Sequence, residues 1–122
     1  MKEIGKVNII NAEYRVYLHN DLKEVNEYYD KANKACEIEE RTEKLETVDG
    51  YCDYRTREIH ILKDEGMKDD FLKGILFHEL THCMLYQMGD KCHNDEEYVE
   101  KIAKFATILN DISKEINDKL TK

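Results

Sequence analysis

The chain contains no proline, so no proline-rich linker or polyproline segment is available to hold two domains apart. It has no apolar run approaching the ~18 residues of a membrane span, and its start, Met1-Lys-Glu-Ile-Gly-Lys-Val-Asn8, carries no signal-peptide apolar region. No two of its four cysteines, Cys36, Cys52, Cys83 and Cys92, are spaced as Cys-x-x-Cys, which removes a zinc ribbon and a dithiol redox motif. An excess of positive charge is lacking too: the net charge of −8 argues against a nucleic-acid partner held by an electrostatic footprint. Internal repeats and low-complexity linkers are absent. A length of 122 residues suffices for one core and not for two, and 38% charged with 41% hydrophobic residues fits a soluble globular chain. The expectation is one cytoplasmic domain over residues 1–122, with reduced cysteines, no nucleic-acid partner and no membrane.

What is present centres on Gly74-Ile-Leu-Phe-His78-Glu79-Leu-Thr-His82-Cys-Met-Leu-Tyr86. On a helix each residue turns the side chain by about 100°, so His78 and His82 stand on one face and both imidazoles can reach one ion. Glu79 lies about 100° round from His78, close enough to touch an activated water without ligating the metal. That is the geometry of metal-assisted hydrolysis with a carboxylate as general base. Because the pattern is short, the flanks decide. Phe71, Leu72, Ile75, Leu76, Phe77, Leu80, Cys83, Met84, Leu85 and Met88 point in nearly every direction, which predicts a buried helix. Buried histidines and a glutamate need partners, since an unpaired buried polar group costs about 1–3 kcal/mol, and a metal supplies one. Asp69 or Asp70 is the candidate N-cap and Gly89 the candidate C-cap. Cys83 points away from His82 and reads as helix packing; Cys92 and His93, in the loop just beyond, are candidate additional ligands.

Taken in order, Val7 and Ile9, then Tyr14, Val16 and Leu18, flank the polar Asn11-Ala12-Glu13 and predict a β-hairpin. Leu22, Val25, Tyr29, Ala32 and Cys36 predict an amphipathic helix capped at Asn20 or Asp21. The charged stretch from Glu37 to Glu46 reads as a solvated face without function. Gly50–Tyr54 and Glu58–Leu62, on either side of Arg55-Thr56-Arg57, predict a second strand pair. His60 alternates with Ile59 and Ile61, so it is expected to face away from the core as an exposed or cleft-rim histidine. A last helix carries Tyr98, Ile102, Phe105, Leu109, Ile112 and Ile116 as a stripe read mostly as core packing. Its roughly 25 residues, ~37 Å, exceed what a small core needs, so its end is expected to project or to pair with another subunit. The fold class is therefore α+β.

A catalytic zinc usually keeps three protein ligands and one open position. A metzincin would place histidine six residues beyond His82 and glycine three beyond it; those positions hold Met88 and Leu85, so that class is excluded. The chain continues instead into Asn94-Asp95-Glu96-Glu97-Tyr98-Val99-Glu100. Together with His78-Glu-Leu-Thr-His82, this run resembles the gluzincin pattern, in which a glutamate on a downstream helix completes the zinc site. The wider match, from Gly50-Tyr-Cys-Asp through Glu58-Ile-His-Ile to Glu100, is similar to small metallopeptidase-like proteins of bacteriophages and mobile elements, distant relatives of ImmA/IrrE-type and minigluzincin proteins. The resemblance implies a zincin-like domain with His78, His82 and Glu96 as zinc ligands and Glu79 as the base. Glu96 is chosen because the pattern's ligand is followed four residues later by an acid that orients a zinc histidine, here Glu100, whereas Glu97 is followed by Lys101. Glu97 and Asp95 remain open alternatives, and an acidic first turn is favoured by the helix dipole alone. The same resemblance implies that the strand Glu58–Leu62 borders the cleft and pairs with an extended substrate. Tyr51, Tyr54, His93 and Tyr98 are candidate donors to the oxyanion.

The function this implies is a zinc-dependent metallopeptidase acting on a protein or peptide, with selectivity for one protein suggested by so small a chain. The alternative is a non-catalytic, zinc-stabilised binding or regulatory module of the same fold; retention of Glu79 favours catalysis. A purely structural role would rest on assembly through the last helix, so monomer and dimer both remain open.

Overall fold

A computed structural model describes residues 2–21, 23–25, 27, 49–63 and 66–120. In chain order the elements are β1 (Lys2–Ile9), β2 (Ala12–His19), β3 (Gly50–Asp53), β4 (Glu58–Leu62), α1 (Asp69–Gln87) and α2 (Glu96–Leu120). The architecture is α+β, with two hairpins merged into one sheet of order β1-β2-β4-β3. The first hairpin turns one residue earlier than the polar run suggested. Ile10 takes the left-handed conformation (φ 59°), leaving Ala12 as the buried first residue of β2. The second turn is tied by Asp53, whose Oδ1 accepts from the backbone N–H groups of Arg55 and Thr56 at 3.0 and 3.2 Å.

The hairpins join through a parallel pairing of β2 with β4, in the register Arg15 to Glu58 and His19 to Leu62. This junction corrects one expectation. β4 is bonded on both sides, so it offers no free edge to a substrate, and the edge strand beside α1 is β3. A central strand is covered on both faces. Ile59 and Ile61 meet Tyr14, Val16 and Cys83 on the side where α1 lies, with Leu72, Ile75, Leu76 and Leu80 packed around them. His60 does face the other way, as alternation requires, but it is buried rather than exposed, at 1% accessibility. It stacks between Tyr17 and Tyr51, with centroids 5.0 and 4.6 Å away, and bonds His19 across 2.7 Å. Val25, shortly after β2, is fully buried.

The helix expected after β2 is seen at its start: Lys23, Glu24, Val25 and Glu27 are helical, and Asp21 Oδ1 accepts from Lys23 N–H at 2.8 Å as the cap. Tyr29, Ala32, Cys36 and the charged stretch 37–46 lie outside the described residues. α1 begins with Lys68 at the N-cap rather than an aspartate; Asp69 and Asp70 instead fill the first turn, where the dipole favours them. It ends in a Schellman motif, with Gly89 at φ 75°, its N–H on Tyr86 O and the Asp90 N–H on Leu85 O. It is not buried all round. Glu79, Thr81, His82, Cys83 and Leu85 are covered, whereas Phe71, Met84 and Tyr86 are exposed, because the sheet and α2 cover only part of its circumference.

α2 departs further from expectation. Its buried residues are Val99 and Ala103, and Phe105, Leu109, Ile112 and Ile116 are exposed. The stripe is therefore not core packing. α1 supports the first half of α2, the Lys73–Asp111 ion pair (2.7 Å) lies where that support ends, and every residue from 111 to 120 is exposed. The exposed end is open to either expected arrangement, projection or pairing with another subunit. Among the described residues no helix is long and apolar enough to cross a membrane.

These placements predict a sharp contrast in stability by urea denaturation. Ile59→Ala, in the two-sided core, is expected to cost about 2–5 kcal/mol. Ile112→Lys, on the exposed stripe, is expected to change stability by no more than about 0.5 kcal/mol; a loss as large as that of Ile59→Ala would show the stripe to be covered.

Candidate metal centre

His78 and His82 lie one turn apart on α1, their rings 4.8 Å apart and nearly perpendicular at 72°. Their Nε2 atoms approach to 3.2 Å. The first turn of α2 is brought over them by the short loop after Gly89. There Asp95 acts as the N-cap, accepting from the Tyr98 N–H through Oδ1 (3.1 Å), which uses its carboxylate locally and removes it from the ligand competition. Glu96 comes next and reaches both rings, Oε2 at 2.8 Å from His78 Nε2 and Oε1 at 2.9 Å from His82 Nε2. The ligating atoms of His78, His82 and Glu96 all lie within 4.8 Å of one another. Glu97 is exposed and stands outside this cluster.

The other nitrogen of each ring settles what these groups can do. His78 Nδ1 lies 2.5 Å from Glu100 Oε2, and His82 Nδ1 lies 2.6 Å from the His93 carbonyl. An ionised carboxylate and a carbonyl only accept, so each Nδ1 must carry the hydrogen, and the neutral ring then turns a lone pair toward the cluster from Nε2. Two lone pairs and a carboxylate facing one another repel unless a cation stands between them. The protonation behaviour expresses the same demand. Hydrogen bonding to Glu96 raises His78 to about 9; burial opposes the charged form of His82, yet Glu96 and Glu79 still raise it. Hydrogen bonds from the two histidines hold Glu96 down to about 2. Two nitrogens and one oxygen with engaged outer partners suit zinc by donor type and number.

Glu79 turns from the cluster toward β3 and is 6% exposed. Burial raises its carboxyl above the usual range, with the two histidine charges acting the other way. Its carboxylate Oε2 lies 3.2 Å from the thiol of Cys52, and the same sulfur is 2.9 Å from the Glu79 backbone oxygen. Behind Cys52 is Cys83, fully buried, with the sulfurs 3.0 Å apart. Burial pushes the Cys52 thiol up. The close approach of β3 to α1 is made by Gly50, where a Cβ would come within 3.0 Å of the His60 carbonyl, 3.1 Å of Ile75 and 3.3 Å of Glu79.

Residues 18–118, from the end of β2 almost to the end of α2, match the model of the SprT-like family. The chain belongs to the SprT-like family. No curated protein and no solved structure matches it. The SprT-like family is zinc-metallopeptidase-like, and the whole His78, His82, Glu96 cluster falls inside the matched region of this SprT-like chain.

The remaining candidates stand apart from the cluster. Cys92 is exposed, and the ring of His93 is engaged elsewhere: it bonds the Asp90 carbonyl and packs edge-on against Tyr54 and Tyr86. What His93 contributes is its backbone carbonyl, a role with no side-chain signature in the sequence. Of the candidate oxyanion donors, Tyr51 is on the far face of the sheet, stacked on His60. Tyr98 is bonded to Asp90, and Tyr54 donates to Asn94 while stacking on Tyr86. Cys52 and Gly50 were not singled out by sequence reasoning. The Cys52 alternation with Tyr51 and Asp53 was the available signal, because it puts Gly50 and Cys52 on the side of the strand that meets a covering helix.

Elemental analysis of tag-free protein is expected to give about one zinc per chain, lost in Glu96→Ala and kept in Glu97→Ala. Glu100→Ala is expected to retain the site with affinity lowered about 10–100-fold, since it removes an orienting acceptor rather than a ligand. Full zinc retention by Glu96→Ala would take that residue out of the ligand set.

Proposed function

We propose that this SprT-like chain is a zinc-dependent metallopeptidase in which His78, His82 and Glu96 hold the metal and Glu79 is the general base. The observation that carries the reading is the convergence of two imidazoles and one carboxylate, with a further carboxylate, Glu79, adjacent but turned aside. Zinc bound there would act as a Lewis acid toward the scissile carbonyl and acidify a water beside it. Glu79 accepts the proton of the attacking water and returns it to the departing amine. Its burial supports that exchange, because a carboxylate whose pKa is raised toward the working pH both takes and gives a proton readily. Glu100 and the His93 carbonyl keep the rings in the ligating tautomer.

Among the described residues β3 is an end strand of the sheet and packs against Glu79, which supports an extended peptide adding there as a further strand, with backbone hydrogen bonds for affinity. A protein or peptide is thus the proposed substrate. Selectivity for one protein, a phage or mobile-element setting with ImmA/IrrE-type kin, and a cytoplasmic location belong to the same proposal. They rest on the Gly50 to Glu100 resemblance, the small size of the chain and its free thiols. Neither the absence of nucleic-acid and membrane partners nor the choice between monomer and dimer enters the chemistry.

Glu79→Gln is expected to keep zinc and fold while lowering turnover by about 10²–10⁴-fold. The measurement is mass-spectrometric profiling of new termini in a proteome-derived peptide library, with wild type, variant and chelator-treated protein in parallel. New termini that persist in Glu79→Gln would dismiss it as the base. Zinc at one per chain with no termini from wild type would favour the binding module.

A further inference from the structure

We infer that Cys52 and Cys83 form an oxidation site, closing to a disulfide under a peroxide and so withdrawing the thiol that faces Glu79. Neither sulfur belongs to the histidine and glutamate cluster, yet Cys52 lies directly against the carboxylate beside it, with Cys83 behind. The two come from separate elements, Cys52 from the edge strand β3 and Cys83 from α1, and their sulfurs already stand 3.0 Å apart. Cys83 is fully buried, whereas Cys52 is only partly so, on the strand that ends the sheet among the described residues. A small oxidant therefore meets Cys52 first, and Cys83 waits behind it as the resolving thiol.

The Cys52 sulfur takes one oxygen of hydrogen peroxide to give a sulfenic acid, and the other oxygen leaves as water. The Cys83 sulfur then attacks the Cys52 sulfur and displaces a second water. One O–O bond is broken and one S–S bond is made; two thiols give up two electrons to the peroxide, and both thiol protons end in water. Adjacent sulfurs make the second stage unimolecular, so it outruns addition of further oxygen to Cys52. The product has no S–H left to donate to Glu79 Oε2 and ties the edge strand to α1. The effect on hydrolysis rests on the role proposed for Glu79; formation of the bond does not.

A protonated buried thiol reacts slowly and the exposed Cys92 is attacked sooner, so the test removes the competing thiols. The Cys36→Ser/Cys92→Ser protein, folded, is treated with hydrogen peroxide and followed by intact mass and by thiol titration in denaturant. The expected result is a monomer lighter by two hydrogens, with both titratable thiols lost and both restored by dithiothreitol. A non-reducing tryptic digest of oxidised wild type is expected to join the Cys52 and Cys83 peptides, and this digest decides alone if the double variant does not fold. Oxygen added to either cysteine without a joined peptide, or both thiols intact after Cys92 is fully oxidised, would overturn the inference. Zinc content measured alongside keeps the two ideas apart: protein that binds no zinc and still closes the bond loses the metallopeptidase reading and keeps this one.

Discussion

Two N–H groups decide the character of this molecule. The Nδ1 hydrogens of His78 and His82 are claimed by Glu100 and by the His93 carbonyl, and only because they are claimed do the Nε2 lone pairs face each other and Glu96. Had either Nδ1 pointed to solvent, its ring could have placed the hydrogen on Nε2 and bonded Glu96 as an ordinary neutral donor. The cluster would then be a satisfied polar patch. With the hydrogens held outside, it is a site short of positive charge, and the His78–Glu96 hydrogen bond accordingly moves His78 up and Glu96 down.

The rest of the fold brings the acceptors to those hydrogens. α1 must lie close on the sheet for Glu79 to be buried, and Gly50 makes the approach possible by offering no Cβ where the His60 carbonyl, Ile75 and Glu79 converge. α1 must also stop abruptly so that the chain can return over the histidines. The Schellman turn at Gly89 does this, and the Asp95 cap starts α2 within a few residues. Glu96 and Glu100, four apart on one face of α2, then address the inner nitrogens and the outer His78 nitrogen together.

Much of this was legible in the sequence because it stems from period and spacing. His78 and His82 were paired by a helical step of four, Glu96 and Glu100 by the same step, and both hairpins by alternation. What escaped depended on which surfaces become covered, and no local pattern states that. His60 was correctly turned away from Ile59 and Ile61, but its burial comes from β4 becoming a central strand through the parallel pairing with β2. The stripe on α2 had the spacing of core residues and lacks a partner in the fold, because nothing among the described residues reaches past Asp111. The contact of Cys52 with Glu79 has no local signature, because the two are distant in sequence and meet only when β3 and α1 pack.

The division of α2 into a gripped and a bare half has a consequence for how the site is held. Val99 and Ala103 anchor the first turns, next to Glu96 and Glu100, while every residue from Asp111 to Leu120 is exposed, with Ser113 Oγ donating back to the Asn110 carbonyl at 2.9 Å. Helix propagation from an anchored nucleus needs little further support, so the bare half can form, yet each of its turns is near the balance point of helix and coil. Local opening is therefore easier in the exposed half than in the covered one, and the Lys73–Asp111 pair stands between them. The two glutamates lie on the covered side of that pair. The geometry around the histidines is thus insulated from motion of the exposed stripe, so contacts made by that stripe leave the His78, His82 and Glu96 cluster in place.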